Sequence, residues 1–277
     1  MIVDLVSPWH AALEAGNPSV ATASFHDRHA ALLDSLRRIR TPTLDRFPLC
    51  AVPTQLAALA RVAADPATHQ LLRDALAAAA AHGAERCRRV LLVASDGTGD
   101  TVEPLPADDG SMVLFMELLP GESDLTIALA RGAAAVTRWT APDSASPLLH
   151  QFNDSWDRWD STHAVALREW IYAEGAGRQL AQALLPSLTP QELFGLKQVP
   201  FNRLRQRERV FHALLDADLD KRGIGPIVRW LAPGAPLSAR TVDDTVLPPM
   251  AGHYLAWRML AERVARAGLR EAIRGES

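Results

Sequence analysis

The chain predicts an α+β fold with helix in the majority, and three observations carry that expectation. Apolar residues recur at helical spacing through the first third and again from about residue 124 onward. Two short apolar runs near the middle, 89–94 and 111–118, have the texture of strands and are followed by glycine-bearing turns. No internal repeat at solenoid periods interrupts this layout of helices, a small sheet and helices again.

In chain order, Leu32, Leu33, Leu36 and Ile39 mark one helical stripe that stops before Thr41-Pro42. Leu56, Leu59, Ala60 and Ala63 mark a second, and residues 67–87 carry a third through Leu71, Leu72, Ala75, Leu76 and Ala79. The run Arg89-Val90-Leu91-Leu92-Val93-Ala94 then predicts a strand closed by Asp96-Gly97-Thr98-Gly99-Asp100. After the turn at Asp108-Asp109-Gly110, Ser111-Met112-Val113-Leu114-Phe115-Met116 predicts its neighbour in a small meander. Helices are expected over 124–139, 162–184 and 202–220. The Pro/Gly-rich stretch 223–249 reads mostly as loop around Ile227-Val228-Arg229-Trp230-Leu231, and a final helix covers about 252–273. The expected organisation is an N-terminal helical region (1–87), a central core (88–185) and a C-terminal helical subdomain packed on it (186–277).

Composition excludes several function classes. With 277 residues the chain is long enough to bury on the order of 75% of its unfolded surface. Its 48% hydrophobic and 22% charged content excludes global disorder, and a net charge of −3 argues against nucleic acid as the partner of the whole chain. All but two of the 29 basic residues, Lys197 and Lys221, are arginine, a bias that fits GC-rich coding. Asp4 and Pro8 interrupt the N-terminal apolar run, no stretch has the ~20 apolar residues of a membrane span, and Cys50 and Cys87 are too few for a disulfide framework. A cytoplasmic protein with no membrane partner is expected.

Motifs for the common chemistries are sparse. Gly97-Thr98-Gly99 lacks the full G-x-G-x-x-G and reads as a turn, and neither a P-loop nor a G-x-S-x-G elbow is present. Trp156 and Trp159, alternating with Asp157 and Asp160, have the makings of a ligand frame but more simply pack. None of the nine histidines forms an i, i+4 pair. His26 and His29 lie three apart, and no third ligand is close in sequence.

The order of elements from about 88 to 273 is more informative. A strand carrying Val113-Leu114-Phe115-Met116 leads into Leu125-Thr126-Ile127-Ala128-Leu129-Ala130-Arg131-Gly132-Ala133-Ala134-Ala135. A later helix carries Trp170-Ile171-Tyr172-Ala173-Glu174-Gly175-Ala176, and the last opens Gly252-His253-Tyr254. This resembles the bacterial predicted zinc-dependent protease family, a gluzincin-like group in which one helix bears H-E-x-x-H, a later helix bears a Glu followed by Gly-x-Ala, and a Tyr-bearing helix closes the domain. The resemblance covers the C-terminal two-thirds. It implies a zincin-like active-site helix beside a small antiparallel or mixed sheet, with flanking helices.

Under that resemblance Arg131 stands in place of the first zinc histidine, Gly132 in place of the general-base glutamate and Ala135 in place of the second histidine. Only Glu174 keeps its residue. Catalytic zinc needs about three protein ligands and an open water position, so the resemblance implies a metal-free, cofactor-free and non-proteolytic descendant. A carboxylate left without its dication is costly to bury, and an arginine in the vacated place can supply the charge bidentately. An Arg131–Glu174 pair is therefore expected.

The cleft so vacated is expected to take a small organic or peptide-like ligand, with Arg131, Ala135, Glu169, Glu174, His253 and Tyr254 around it. Arg131 would bind or stabilise an anion, Glu174 would act as acid or base, and Tyr254 would donate a proton in metal-independent chemistry of a biosynthetic kind. The alternatives are a non-catalytic pseudopeptidase that binds a peptide or protein, an extended peptide adding to the strand at 113–117 as to a sheet edge, and a helical interaction protein with a filled centre. A zinc peptidase with ligands relocated to His253, His163 or His150 is the least favoured.

Overall fold

The computed structural model describes residues 1–15, 23–24, 27–28, 30, 53–94, 102–104, 110–116, 122–144, 164–232 and 235–275. The stripe at 32–39, the turn at 96–100, the Trp156/Trp159 segment and His26, His29, His150 and His163 lie outside these residues.

Four strands form the main sheet: β1 (Ile2–Asp4), β2 (Arg89–Ala94), β3 (Val102–Pro104) and β4 (Ser111–Met116), in the order β1-β2-β4-β3. β2 and β4 are almost wholly buried apolar runs, the pattern of strands covered on both faces. They pair in parallel, from Arg89 opposite Ser111 to Ala94 opposite Met116. β3 closes the sheet antiparallel to β4, with Val102 opposite Leu114.

This corrects the expected meander in two ways. The strands at 89–94 and 111–116 are parallel, because the chain between them first lays down β3 on the far side of β4. The strand at 113–117 is also not an edge, since β4 is hydrogen-bonded on both sides and β3 holds the outer position. The first third is not purely helical either. β1 pairs in parallel with β2, Ile2 lying opposite Val90, and Asp4 accepts hydrogen bonds from the backbone of Val6 (2.8 Å) and Ser7 (3.0 Å) where α1 (Val6–Glu14) begins.

Next come α2 (Pro53–Ala64) and α3 (Pro66–Ala81). α3 starts at an Asp65 cap that accepts from Ala67 N at 3.0 Å, with Pro66 at the first helical position. α4 (Glu122–Thr140) and α5 (Leu167–Leu184) form the central pair. Downstream lie α6 (Pro190–Leu193), α7 (Gln198–Gln206), α8 (Glu208–Asp216), α9 (Ile224–Leu231), α10 (Ala251–Ala267) and α11 (Leu269–Arg274). The helix expected over 202–220 is thus broken at Arg207, and the one over 252–273 at Gly268, whose φ of +91° no regular helix accommodates. The loop expected between 223 and 249 contains α9 and a small hairpin, β5 (Thr241–Val242) and β6 (Thr245–Val246). Asp243 and Asp244 turn this hairpin at positive φ. No helix among the described residues is long and apolar enough to cross a membrane.

Two glycines bring the central helices together. A side chain at Gly177 would meet the Cα of Arg131 at 2.6 Å, so α4 and α5 touch there backbone to backbone. One at Gly175 would meet the carbonyl oxygen of Ala256 at 2.4 Å, which brings α10 against the opposite side of α5. Glu174 therefore sits where three helices converge.

Candidate functional site

α4 and α5 run antiparallel. Arg131 lies against Gly177, and two turns further along Trp139 meets Trp170 edge-on at 5.3 Å. This register sets the turn from Arg131 to Ala135 opposite Glu174, one face of α4 looking across at the carboxylate.

The expected ion pair forms. Nε of Arg131 donates to both Glu174 oxygens at 3.1 Å, and a terminal nitrogen donates to Oε2 at 3.0 Å. Arg178, one turn along α5, donates from Nε to Oε1 at 2.8 Å and from Nη1 to the carbonyl of Leu193 at 2.7 Å. Its guanidinium lies over the Phe194 ring at 5.1 Å. Nδ1 of His253 is 2.7 Å from Oε1, close but off the hydrogen-bond direction, while Nε2 faces the carbonyl of Leu231 at 3.2 Å. The side chains of Glu174, Arg178 and His253 are 11%, 6% and 4% exposed, and Arg131 at 21% covers the cluster from the outside.

Electrostatics here follow from burial and charge count. Burial alone would push the Glu174 carboxyl up, but Arg131, His253 and Arg178 outweigh it and hold it well below the usual carboxylate range. Burial pulls Arg178 down to about 10 against the attraction of Glu174, and pulls the His253 imidazole below its ordinary value. The carboxylate is thus charged, with Arg131 on both oxygens and Arg178 on Oε1.

A divalent metal does not fit this set. Glu174, the one carboxylate in this cluster among the described residues, is engaged by two guanidiniums, which would repel a dication, and neither Gly132 nor Ala135 offers a donor. The place where a glutamate would extend from position 132 is filled by the thioether of Met112, 2.7 Å from where a Cβ would stand. Among the described residues no group of three or more His, Cys, Asp or Glu is arranged to hold an ion.

The other expected residues are dispersed. Glu169 accepts from Arg138 at 3.1 Å, and that buried guanidinium also reaches the carbonyl of Ile273 and lies over the Tyr172 ring. Ala135 is buried in the core. Tyr254, although adjacent to His253, turns its hydroxyl to Glu208, donating to Oε2 at 2.7 Å, while Arg258 donates to Oε1 at 3.0 Å. Its ring packs among Phe194, Phe201 and Trp257 with centroids 5.8–6.0 Å away. Burial, then the bond to Glu208, pushes the Tyr254 hydroxyl above its ordinary pKa. Glu208 sits below its own despite partial burial, held there by Tyr254 and Arg258.

An open groove of about 950 Å³ runs beside this trio, lined by Gln191, Phe201, Arg205, Glu208, Tyr254 and Arg258 among others. Sequence reasoning missed three of the residues that matter most. Arg178 had a legible signal, the Glu-to-Arg i, i+4 spacing on one helix face. Glu208 and Arg258 pair across 50 positions, and nothing local announces them.

No family model, curated protein or solved structure matches the chain at a significant level.

Proposed function

We propose that this chain is a metal-independent, non-proteolytic binding protein on a zincin-like framework, whose ligand occupies the groove beside Tyr254. The carrying observation is the bidentate grip of Arg131 on Glu174, completed by Arg178 and His253. A carboxylate held so far below its usual range takes up no proton near neutrality, and an arginine engaged through two nitrogens has little left to offer a substrate anion. The expected catalytic roles of Arg131 and Glu174 thus give way to a structural one. The zincin-like reading itself is supported by the register of α4 on α5, which brings the 131–135 face opposite Glu174, and by a helix carrying His253 and Tyr254 on the other side of α5.

Acid–base chemistry at Tyr254 is disfavoured on similar grounds. The tyrosine is moved up and Glu208 down, so neither is poised to exchange a proton near pH 7. The groove, by contrast, has the size of a site for a small organic or peptide-like ligand and polar groups along its wall.

The test combines metal analysis with ligand mapping on protein purified without a histidine tag. Substoichiometric zinc, a melting temperature indifferent to zinc or chelator, intact test peptides, and screened ligands lost in Arg258→Ala but kept in Arg131→Met are the expected results. Stoichiometric zinc accompanied by peptide cleavage, or ligands lost only in Arg131→Met, would overturn the proposal.

A further inference from the structure

The groove beside Tyr254 is one of three adjoining hollows, all of which have Glu208 in their walls. The second is formed by the consecutive residues 205–210 with His212, and the third by Arg258, Met259, Glu262, Arg263, Arg266 and neighbours. Around this centre the end of α7 and the start of α8 read Arg203-Leu204-Arg205-Gln206-Arg207-Glu208-Arg209, and all four arginines are exposed. Arg258 and Arg266 add exposed guanidiniums from α10. Glu208, the carboxylate at the middle, is already engaged by Arg258 and Tyr254. A chain with a net charge of −3 thus sets Arg205, Arg207, Arg209, Arg258, Arg263 and Arg266 along hollows that share Glu208.

We infer that this arginine-rich face around Glu208 docks an extended acidic peptide segment of a partner protein. The inference rests on the binding reading above and names the ligand class for the same groove. Guanidiniums spaced along joined hollows suit carboxylates spaced along an extended backbone, each fork taking one carboxylate. The rim residue Val210, 45% exposed, gives an intervening side chain an apolar seat. A nucleic acid fits less well. Its unbroken run of phosphates would pass over Glu208 and Glu262, and Tyr254 and Trp257 are buried rather than presented as stacking platforms.

Fluorescence anisotropy on the full chain reads the proposal directly, with a labelled peptide of alternating Glu and Gly/Ser residues and its Gln counterpart as probes. The acidic peptide is expected to bind, to weaken with rising salt, and to lose about tenfold in affinity in the double variant Arg205→Ala, Arg209→Ala. The double lysine variant at these positions should bind more tightly than the alanine variant and less tightly than the parent, since it keeps the charges and loses the forks, and the melting temperature of both variants should match the parent. Equal binding of the Gln peptide, tighter binding of oligo(dT), or an alanine variant that binds like the parent would each overturn the assignment. Metal-dependent cleavage of a peptide that still binds would instead sink the non-proteolytic reading and leave the docking surface standing.

Discussion

At Glu174 a single carboxylate balances two guanidiniums, and removing its charge has a calculable direction. Glu174→Gln leaves Arg131 and Arg178 facing each other with no counter-ion, and breaking a buried pair from one side costs about 3–5 kcal/mol. Arg131→Met should cost less, about 1–3 kcal/mol, because Arg178 still binds the carboxylate. Chemical denaturation of the two variants against the parent checks both the sizes and their order. The same cluster makes stability fall on acidification. Glu174 is depressed, so its contribution is complete above its unfolded value of about 4.3 and is lost as pH drops towards the folded pKa. His253 is also depressed, so below about 6.5 the unfolded chain takes up a proton that the folded one resists, and stability falls there too. Melting curves should therefore show one decline starting near pH 6.5 and another below about 4.3. Glu174→Gln should flatten the second, and a parent curve flat from pH 7 to 3 would contradict the cluster's role.

At the scale of elements, the central issue is whether α4 carries the imprint of a metal helix. Arg131 and Ala135 lie one turn apart on a face that the antiparallel register sets opposite Glu174. Restoring imidazoles by Arg131→His with Ala135→His, together with Arg178→Met to release the carboxylate from its second guanidinium, would give an i, i+4 pair on that face with Glu174 as third ligand. The triple variant is expected to bind one zinc with a dissociation constant on the order of 1 µM, about 8 kcal/mol, read by calorimetry. Failure to bind in a folded variant would argue against the zincin-like register.

Much of this element was legible in the sequence. The apolar runs at 89–94 and 111–116 announced strands, and the charge logic of pairing a buried Glu174 with Arg131 predicted the pair that forms. Strand direction was not legible, because a buried apolar run looks alike in either orientation, and the three-residue β3 that settles the topology has too little sequence to stand out. Tyr254 was misplaced for a related reason. On a helix, adjacent residues point about 100° apart, so His253 and Tyr254 serve different sites, and which one faces Glu174 depends on the rotation of α10, fixed by contacts far away in sequence.

For the whole molecule, the three stretches of chain are tied across both expected boundaries. β1 pairs with β2 across position 87/88, and α10 from the last third meets α5 backbone to backbone at Gly175. The C-terminal helix adds a third tie. Arg274 engages both Glu85 and Asp143, its carbonyl accepts from Ser144, and the carbonyl of Ile273 accepts from the buried Arg138. Ala272 and Ile273 are fully buried, so this short helix contributes core as well as charge. Contacts shared this widely favour unfolding as one cooperative unit, and scanning calorimetry is expected to show a single transition with matching calorimetric and van't Hoff enthalpies. Deleting residues 269–277 should then lower the melting point of that one transition rather than release a separate early one. It strips Arg138 of a partner while leaving its guanidinium buried, a loss of several kcal/mol together with the exposed apolar surface. Two resolved transitions in the intact chain would mean instead that the thirds fold independently and that the arginine face on α7, α8 and α10 belongs to a module separable from the Glu174 cluster.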